Sequence, residues 1–363
     1  MKFIDVIGGW LNRHFANEEA IYLVVLLAVG FWVMFSIGVY LAPVLTGLVL
    51  AFVLEGMVRR LEQLKVPRVA AVLVAFLLFV GLLVALLLIV LPLVWRQLRS
   101  LVDSVPSLLV RLQDVTVALP ETLDDLLTQE QIDSYVELAV GEIGNISRTL
   151  VETMVGQVPS VVGLLIYLVL VPISVFFFLK DRDSLMAWFG GLLPMQRPLL
   201  SQVGAEMNVQ LANYVRGKFI EILIVGSVSY IAFELMDLNY AALLGLLVGI
   251  SVLVPYVGAA VVTIPVAMVA FLQWGWSADL AKLMVAYGII QALDGNVLVP
   301  LLFSEAVDLH PITIIVAVLA FGGLWGVWGV FFAIPLATLV KAVYNAWPRS
   351  LEPDILVGAT EQP

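Results

Sequence analysis

The sequence predicts an all-α, polytopic membrane protein. It has about eight membrane segments, two of them broken helices or re-entrant hairpins, and a small helical domain inserted outside the bilayer. Three observations carry this. Hydrophobic residues make up 62% of the 363 positions and charged residues 13%, whereas a soluble domain has about 45–50% and about 25%. The mean hydropathy is +1.07, which is more apolar surface than a water-soluble interior can hide. Apolar runs also recur near the ~20-residue length that crosses a bilayer. Nine Trp and ten Tyr suit the aromatic belts at the membrane interfaces.

Taken in order, Phe3, Ile4, Ile7, Leu11 and Phe15 recur at helical spacing. They read either as a short helix on the membrane surface or as a lead-in to the first span. Ala20 to Leu41 forms the first span and ends at Pro43. Val44 to Met57 forms a shorter second, closed by Arg59 and Arg60, and Val69 to Trp95 the third. From Arg96 to Val158 charges appear every few residues and the apolar positions become periodic. Ile132, Val136, Ala139, Ile143, Ile146, Leu150 and Met154 step by three and four, the stripe of an amphipathic helix. Leu98, Leu101, Val105, Leu108 and Leu112 form a second stripe, interrupted by Pro106. These stripes are expected to pack on each other or on neighbouring subunits. Ser160 to Leu179 is the fourth span. Leu185 to Leu193 is interfacial, Arg197 to Gln210 a polar helix, and Phe219 to Leu235 the fifth span. Tyr240 to Trp274 and Pro311 to Trp347 are long apolar stretches broken in the middle, and Leu280 to Phe303 is a span between them.

The chain therefore divides into spans 1–95, an extramembrane insertion 96–158, span four with interfacial helices 159–212, a unit of two span-plus-broken-stretch repeats 213–347, and a tail 348–363. With the N-terminus cytoplasmic, Lys2, Arg13, Arg59, Arg60, Lys65, Arg68, Lys180, Arg182, Arg197, Arg216, Lys218, Lys341 and Arg349 fall on one side, as the positive-inside rule requires. That places both termini in the cytoplasm and the acidic insertion in the periplasm.

Several function classes are excluded. A net charge of −10 opposes nucleic-acid binding, which needs basic surface. Cysteine is absent, so there is no disulfide or thiolate chemistry. His14 and His310 are the two histidines, far apart, and suggest no metal site. No metalloprotease, serine-hydrolase or phosphate-loop motif occurs. No enzyme, catalytic residue or cofactor is expected.

Chemistry concentrates where the helices break. A broken helix in lipid leaves backbone polar groups that protein or water must satisfy, and transporters use such breaks to hold substrate near the midplane. The breaks fall at Val254-Pro255-Tyr256-Val257-Gly258 and at Phe321-Gly322-Gly323-Leu324-Trp325-Gly326. The arm from Pro311 to Ala320 reaches about 15 Å, roughly half the hydrocarbon core. Arm length favours hairpins that return to their side of entry; kinked full spans are the alternative. The span between the breaks holds Gln291, Asp294 and Asn296, and the fifth span holds Glu221 near Lys218 and Arg216. A lone carboxylate at mid-span costs at least ~2.5–3.5 kcal/mol when ionised. In a dry pocket Asp294 would stay protonated and donate a hydrogen bond. In a wet one it would ionise and exchange its proton for a cation.

The run Gln291 to Pro300 (QALDGNVLVP), with Leu309-His310-Pro311, Gly322-Gly323, Gly326-x-x-Gly329 and Ala333-Ile334-Pro335, resembles the autoinducer-2 exporter family, also called the PerM-like permeases. Phe176-Phe177-Phe178-Leu179-Lys180-Asp181, Tyr214-Val215-Arg216-Gly217 and Pro255-Tyr256-Val257-Gly258 match in the same order. The resemblance implies a bacterial inner-membrane secondary transporter, pentameric, with two hairpins and an elevator-type motion. Its partners would be the lipid bilayer and a small polar molecule or a monovalent cation. The expected cargo is an autoinducer-2-like signal, or Na⁺ or Li⁺ exchanged for H⁺. Pro255, Tyr256, Gly258, Gln291, Asp294, Asn296, Phe321, Gly322, Gly323, Trp325 and Gly326 are the expected substrate contacts, and Asp294 and Glu221 the expected coupling acids. A non-transporting scaffold that recruits envelope partners is the reading from another class.

Overall fold

The computed structural model describes residues 18–117, Ser134, Gly141, 161–193, 197–303 and 309–346. Among them every regular element is helical. The surface helix or lead-in read over Phe3 to Phe15, the stripe Ile132 to Met154 and the tail 348–363 lie outside the described residues.

Helix α1 spans Glu18–Gln63, α2 Arg68–Ala85 and α3 Leu91–Val117. A π-helical turn, Leu86–Val90, joins the last two. After them come α4 Val161–Lys180, α5 Arg182–Gly191, α6 Pro198–Leu235, α7 Ala241–Ser251, α8 Val257–Trp274 and α9 Ala278–Leu293. A second π turn, Asp294–Leu298, leads into α10 Val299–Phe303. The last helix, α11, spans Pro311–Ala346 and is interrupted at Gly326.

Seven stretches among the described residues are long and apolar enough to cross a membrane. They correspond to every segment read from the sequence except Phe219 to Leu235, the apolar half of α6, with Tyr240 to Trp274 represented by its second arm, Val257–Trp274, and the shorter Ala241–Ser251 outside the seven. One expectation is corrected here. The sequence reading ends the first span at Pro43, but α1 is helical on both sides of it. A proline inside a helix removes one hydrogen bond and kinks the chain, and that is too little to force a turn. The charge-based orientation is therefore carried by the chain from Arg59 onward.

The chain forms two compact units. One comprises Met1–Ala42, Asp183–Ala212 and Glu305–Pro363; the other comprises Pro43–Arg182 and Asn213–Ser304. In the first, Leu23, Leu199 and Leu200 form a small apolar cluster with Leu27 and Val343. The second has two cores. Ala51, Val58, Val72, Ala75, Val175 and Leu179 join α1, α2 and α4. Val225, Phe233, Leu244, Val248, Val266, Leu283 and Tyr287 join α6, α7, α8 and α9.

Both broken stretches are hairpins. In the first, Gln273 Oε1 accepts from the Asn239 backbone N–H at 2.8 Å, and Gln273 Nε2 donates to the Asp237 carbonyl at 2.7 Å. Entry and exit therefore lie side by side, as no kinked span permits. At the tip, a Cβ on Gly258 would collide with the Ser251 carbonyl, so only glycine lets the arms meet so closely. In the second, the chain reverses at Gly326, whose φ of 59° and ψ of −134° suit a residue without Cβ. Beyond the reversal Gly329 packs on the Phe321 backbone, and a Cβ on Gly322 would lie 2.8 Å from Val330 Cγ2. In a continuous helix residues eight apart are about 12 Å apart.

Candidate functional site

The first hairpin arm, α7, is an eleven-residue apolar helix, and neighbouring helices supply partners at both its ends. At its start the Leu243 N–H donates to Gln97 Oε1 of α3 at 2.8 Å. The Tyr240 hydroxyl, at the same end, lies 3.1 Å from that of Ser104. At its finish the Lys218 ammonium donates to the Val252 carbonyl at 2.6 Å. A helix end leaves its last carbonyls without intrahelical donors and carries a partial negative charge. A lysine there satisfies both, and the arm need not find water.

Lys218 is the hub. It is 4% exposed, its Nζ lies 2.8 Å from Glu221 Oε2, and Glu221 is 1% exposed. The spacing of three residues places both on one face of α6. The Phe303 ring, at the end of α10, lies with its centroid 5.4 Å from Nζ, within cation–π range. Asp294 is within electrostatic reach of both Lys218 and Glu221. Its Oδ1 is buried and has no hydrogen-bond partner among the described residues. Asp294 opens the second π turn, a geometry frequent at functional sites.

The remaining residues expected in this region divide. Gln291 Nε2 donates to the buried Tyr287 hydroxyl at 2.8 Å, which lies 3.3 Å from the Thr263 hydroxyl. Tyr287 thus ties α9 to the second arm, α8, and Gln291 bonds Tyr287 from within α9. Asn296 Nδ2 donates to Ala292 O of its own helix at 2.8 Å and is exposed. Pro255 is partly exposed, Gly258 is buried, and Tyr256 is 60% exposed at the hairpin tip. Tyr256 has a φ of 61°, a left-handed conformation that disfavours a residue carrying Cβ and marks functional sites.

The second hairpin builds a different surface. Phe321 and Trp325, one turn apart, stack at 5.8 Å with planes 12° apart. Phe31 of α1 stacks on both, at 6.4 Å from Phe321 and 5.2 Å from Trp325. Three near-parallel rings result. The Trp325 Nε1 is buried and has no acceptor among the described residues, although buried indoles usually find one. Gly322 is partly exposed, and Gly323 and Gly326 are exposed beside the rings.

The sequence reading left Lys218, Arg216 or a hairpin backbone open as the partner of Glu221, and kept Lys218 itself, Phe303, Gln97 and Phe31 out of the site. Lys218 had a signal: it is a lysine immediately before an apolar run, three residues from Glu221. The other three had none, since an isolated Phe or Gln in a span looks like any other.

The matches with known proteins extend over this whole architecture. The family model described as AI-2E family transporter matches residues 21–349. The chain is 44% identical over 345 residues to "Putative permease PerM" of Escherichia coli (strain K12), covering 95% of this chain and 98% of that one. It is 24% identical over 327 residues to "AI-2 transport protein TqsA" of the same organism, covering 88% of this chain and 91% of that one. Family and relatives are named as permeases and transport proteins, not enzymes. A match running from the first apolar window to the end of the second hairpin establishes that this chain belongs to the AI-2E transporter family.

Proposed function

We propose that the protein exports a small polar signalling molecule of the autoinducer-2 type by an elevator-type movement of the 213–347 unit. The observation that supports this best is the tip of the first hairpin. Its last helical carbonyl is held by a lysine that also carries an ion pair, so the tip is closed by a contact a polar solute can compete for. Pro255, Tyr256, Gly258, Gln291, Asp294, Asn296, Phe321, Gly322, Gly323, Trp325 and Gly326 are proposed as substrate contacts. A polar cargo would use the backbone at the first hairpin's tip. The name of the relative TqsA supports that cargo class.

Exchange of Na⁺ or Li⁺ for H⁺ is the second reading, and Asp294 favours it. A carboxylate oxygen without a hydrogen-bond partner among the described residues, near a Lys–Glu pair, suits a hard monovalent cation as ligand and a proton as its exchange partner. Asp294 and Glu221 are the proposed coupling acids. We place the protein in a bacterial inner membrane as a homo-oligomer, a pentamer by resemblance, with 96–158 periplasmic and the C-terminus cytoplasmic.

Reconstituted vesicles separate the readings. Export predicts protein-dependent flux of labelled autoinducer-2, and exchange predicts a Na⁺- or Li⁺-driven pH change reported by an entrapped dye. Neither flux from folded protein would sink both and leave the scaffold reading.

A further inference from the structure

We infer that the guanidinium cluster around Glu55 binds a phosphate-type oxyanion. This site is separate from the hairpins. Glu55, on the last turns of α1, is 5% exposed. Its Oε1 accepts from Arg59 Nε at 3.1 Å and from Arg182 Nη1 at 2.9 Å. Arg68 Nη2 lies 4.0 Å from Oε2 and donates to the Leu179 carbonyl at 3.1 Å, while Arg68 Nη1 donates to Glu62 at 3.3 Å. A fourth arginine, Arg216 of α6, donates from Nε to the Phe52 carbonyl at 3.2 Å, with its side chain against Gly56. Burial holds the Arg216 guanidinium below its ordinary pKa, Arg59 and Arg182 push the same way, and Glu55 pulls it back up.

Four guanidiniums thus face two carboxylates, Glu55 and Glu62, and two positive charges remain. Each guanidinium carries five N–H donors. Arg59, Arg182 and Arg216 each spend one nitrogen on the contacts above, and their remaining nitrogens make no other hydrogen bond among the described residues. Glu55 draws these forks together and cannot neutralise them. Planar forks of this kind pair bidentately with tetrahedral oxyanions, which a single ammonium cannot do. The cluster sits at the Lys/Arg-rich helix ends that the charge distribution assigns to the cytoplasmic interface. Anionic headgroups lie at that depth, and free phosphate or a phosphate ester reaches it from the water. Both offer the same oxygens.

The test uses the full-length protein in phosphatidylcholine nanodiscs and in nanodiscs mixed with phosphatidylglycerol. Inorganic phosphate, against chloride at equal ionic strength, is expected to raise the melting temperature saturably in the first. Native mass spectrometry after detergent release is expected to show phosphatidylglycerol retained several-fold over phosphatidylcholine from the second, if the occupant is a lipid. Retention alone assigns a headgroup; the phosphate response alone assigns a free anion. Arg59→Gln and Arg216→Gln should weaken whichever response occurs several-fold, and Arg60→Gln, an exposed neighbour outside the cluster, should leave it unchanged. Arg59 is half-exposed, so its variant keeps the fold. A wild type that prefers neither phosphate nor phosphatidylglycerol overturns the inference, as does an equal loss in Arg60→Gln.

Discussion

The Lys218 ammonium bonds the Val252 carbonyl at 2.6 Å, joining α6 to the tip of a hairpin thirty-four residues on. The same ammonium is the partner of Glu221. Removing it therefore does two separable things. Lys218→Met leaves Glu221 buried and unpaired, which typically costs about 3–5 kcal/mol; Lys218→Met with Glu221→Leu removes that penalty. Thermal melts in detergent should show a large loss in the single variant and substantial recovery in the double one. Transport should stay impaired in both, because neither holds Val252. A double variant as unstable as the single one would contradict the buried-pair account.

Asp294→Asn keeps the size of the side chain and removes its proton chemistry. It should fold and assemble normally, yet lose pH-dependent transport or cation-dependent stabilisation. Vesicle flux measured across pH decides this. An Asn variant with the wild-type rate and pH profile would make Asp294 a packing residue and shift the search to Glu221.

The hairpin geometry predicts labelling. Cysteines introduced singly at Asp237 and Asp279, in a chain that has none of its own, should react with an impermeant maleimide from the same side. Their helices leave from the paired ends of the first hairpin. Labelling from opposite sides would restore the kinked span.

At the second hairpin, Trp325→Phe keeps the ring stack and removes an N–H that has no acceptor among the described residues. Stability should change by less than about 1 kcal/mol, since no hydrogen bond is lost. Apparent substrate affinity should fall about tenfold if the cargo supplies the acceptor. Unchanged affinity would confine Trp325 to packing.

The insertion is tested through its stripe. Val136, Ile143 and Leu150 changed together to Asp should weaken oligomers in mild detergent and leave the spans inserted. Native mass reads the result, and an unchanged mass would end the proposal.

Much of the fold was legible because lipid imposes it: run length and the two Pro/Gly breaks are physical necessities of a helical membrane protein. The acids were legible for the same reason, since Asp294 and Glu221 are conspicuous in apolar surroundings. Partners across helices were not. Gln97 reaches Leu243, 146 residues away, and Phe31 stacks under Trp325; no local pattern marks either. Pro43 misled because a proline signals a stop only where its neighbours cannot continue the helix, and α1 continues.

The π turn at Asp294–Leu298 acts as a phase shifter. An α-helix advances about 100° per residue, so the one residue that a π turn adds rotates everything after it by about that angle. Phe303 meets Lys218 because of this offset. Deleting Gly295, which has open space where a Cβ would stand, would return the stretch to plain α-helical phase. The Phe303 ring would swing off the ammonium while α9 kept its place. Azimuth along this helix is thus encoded by a single surplus residue, and a one-codon deletion would test it without altering any side chain that touches Lys218.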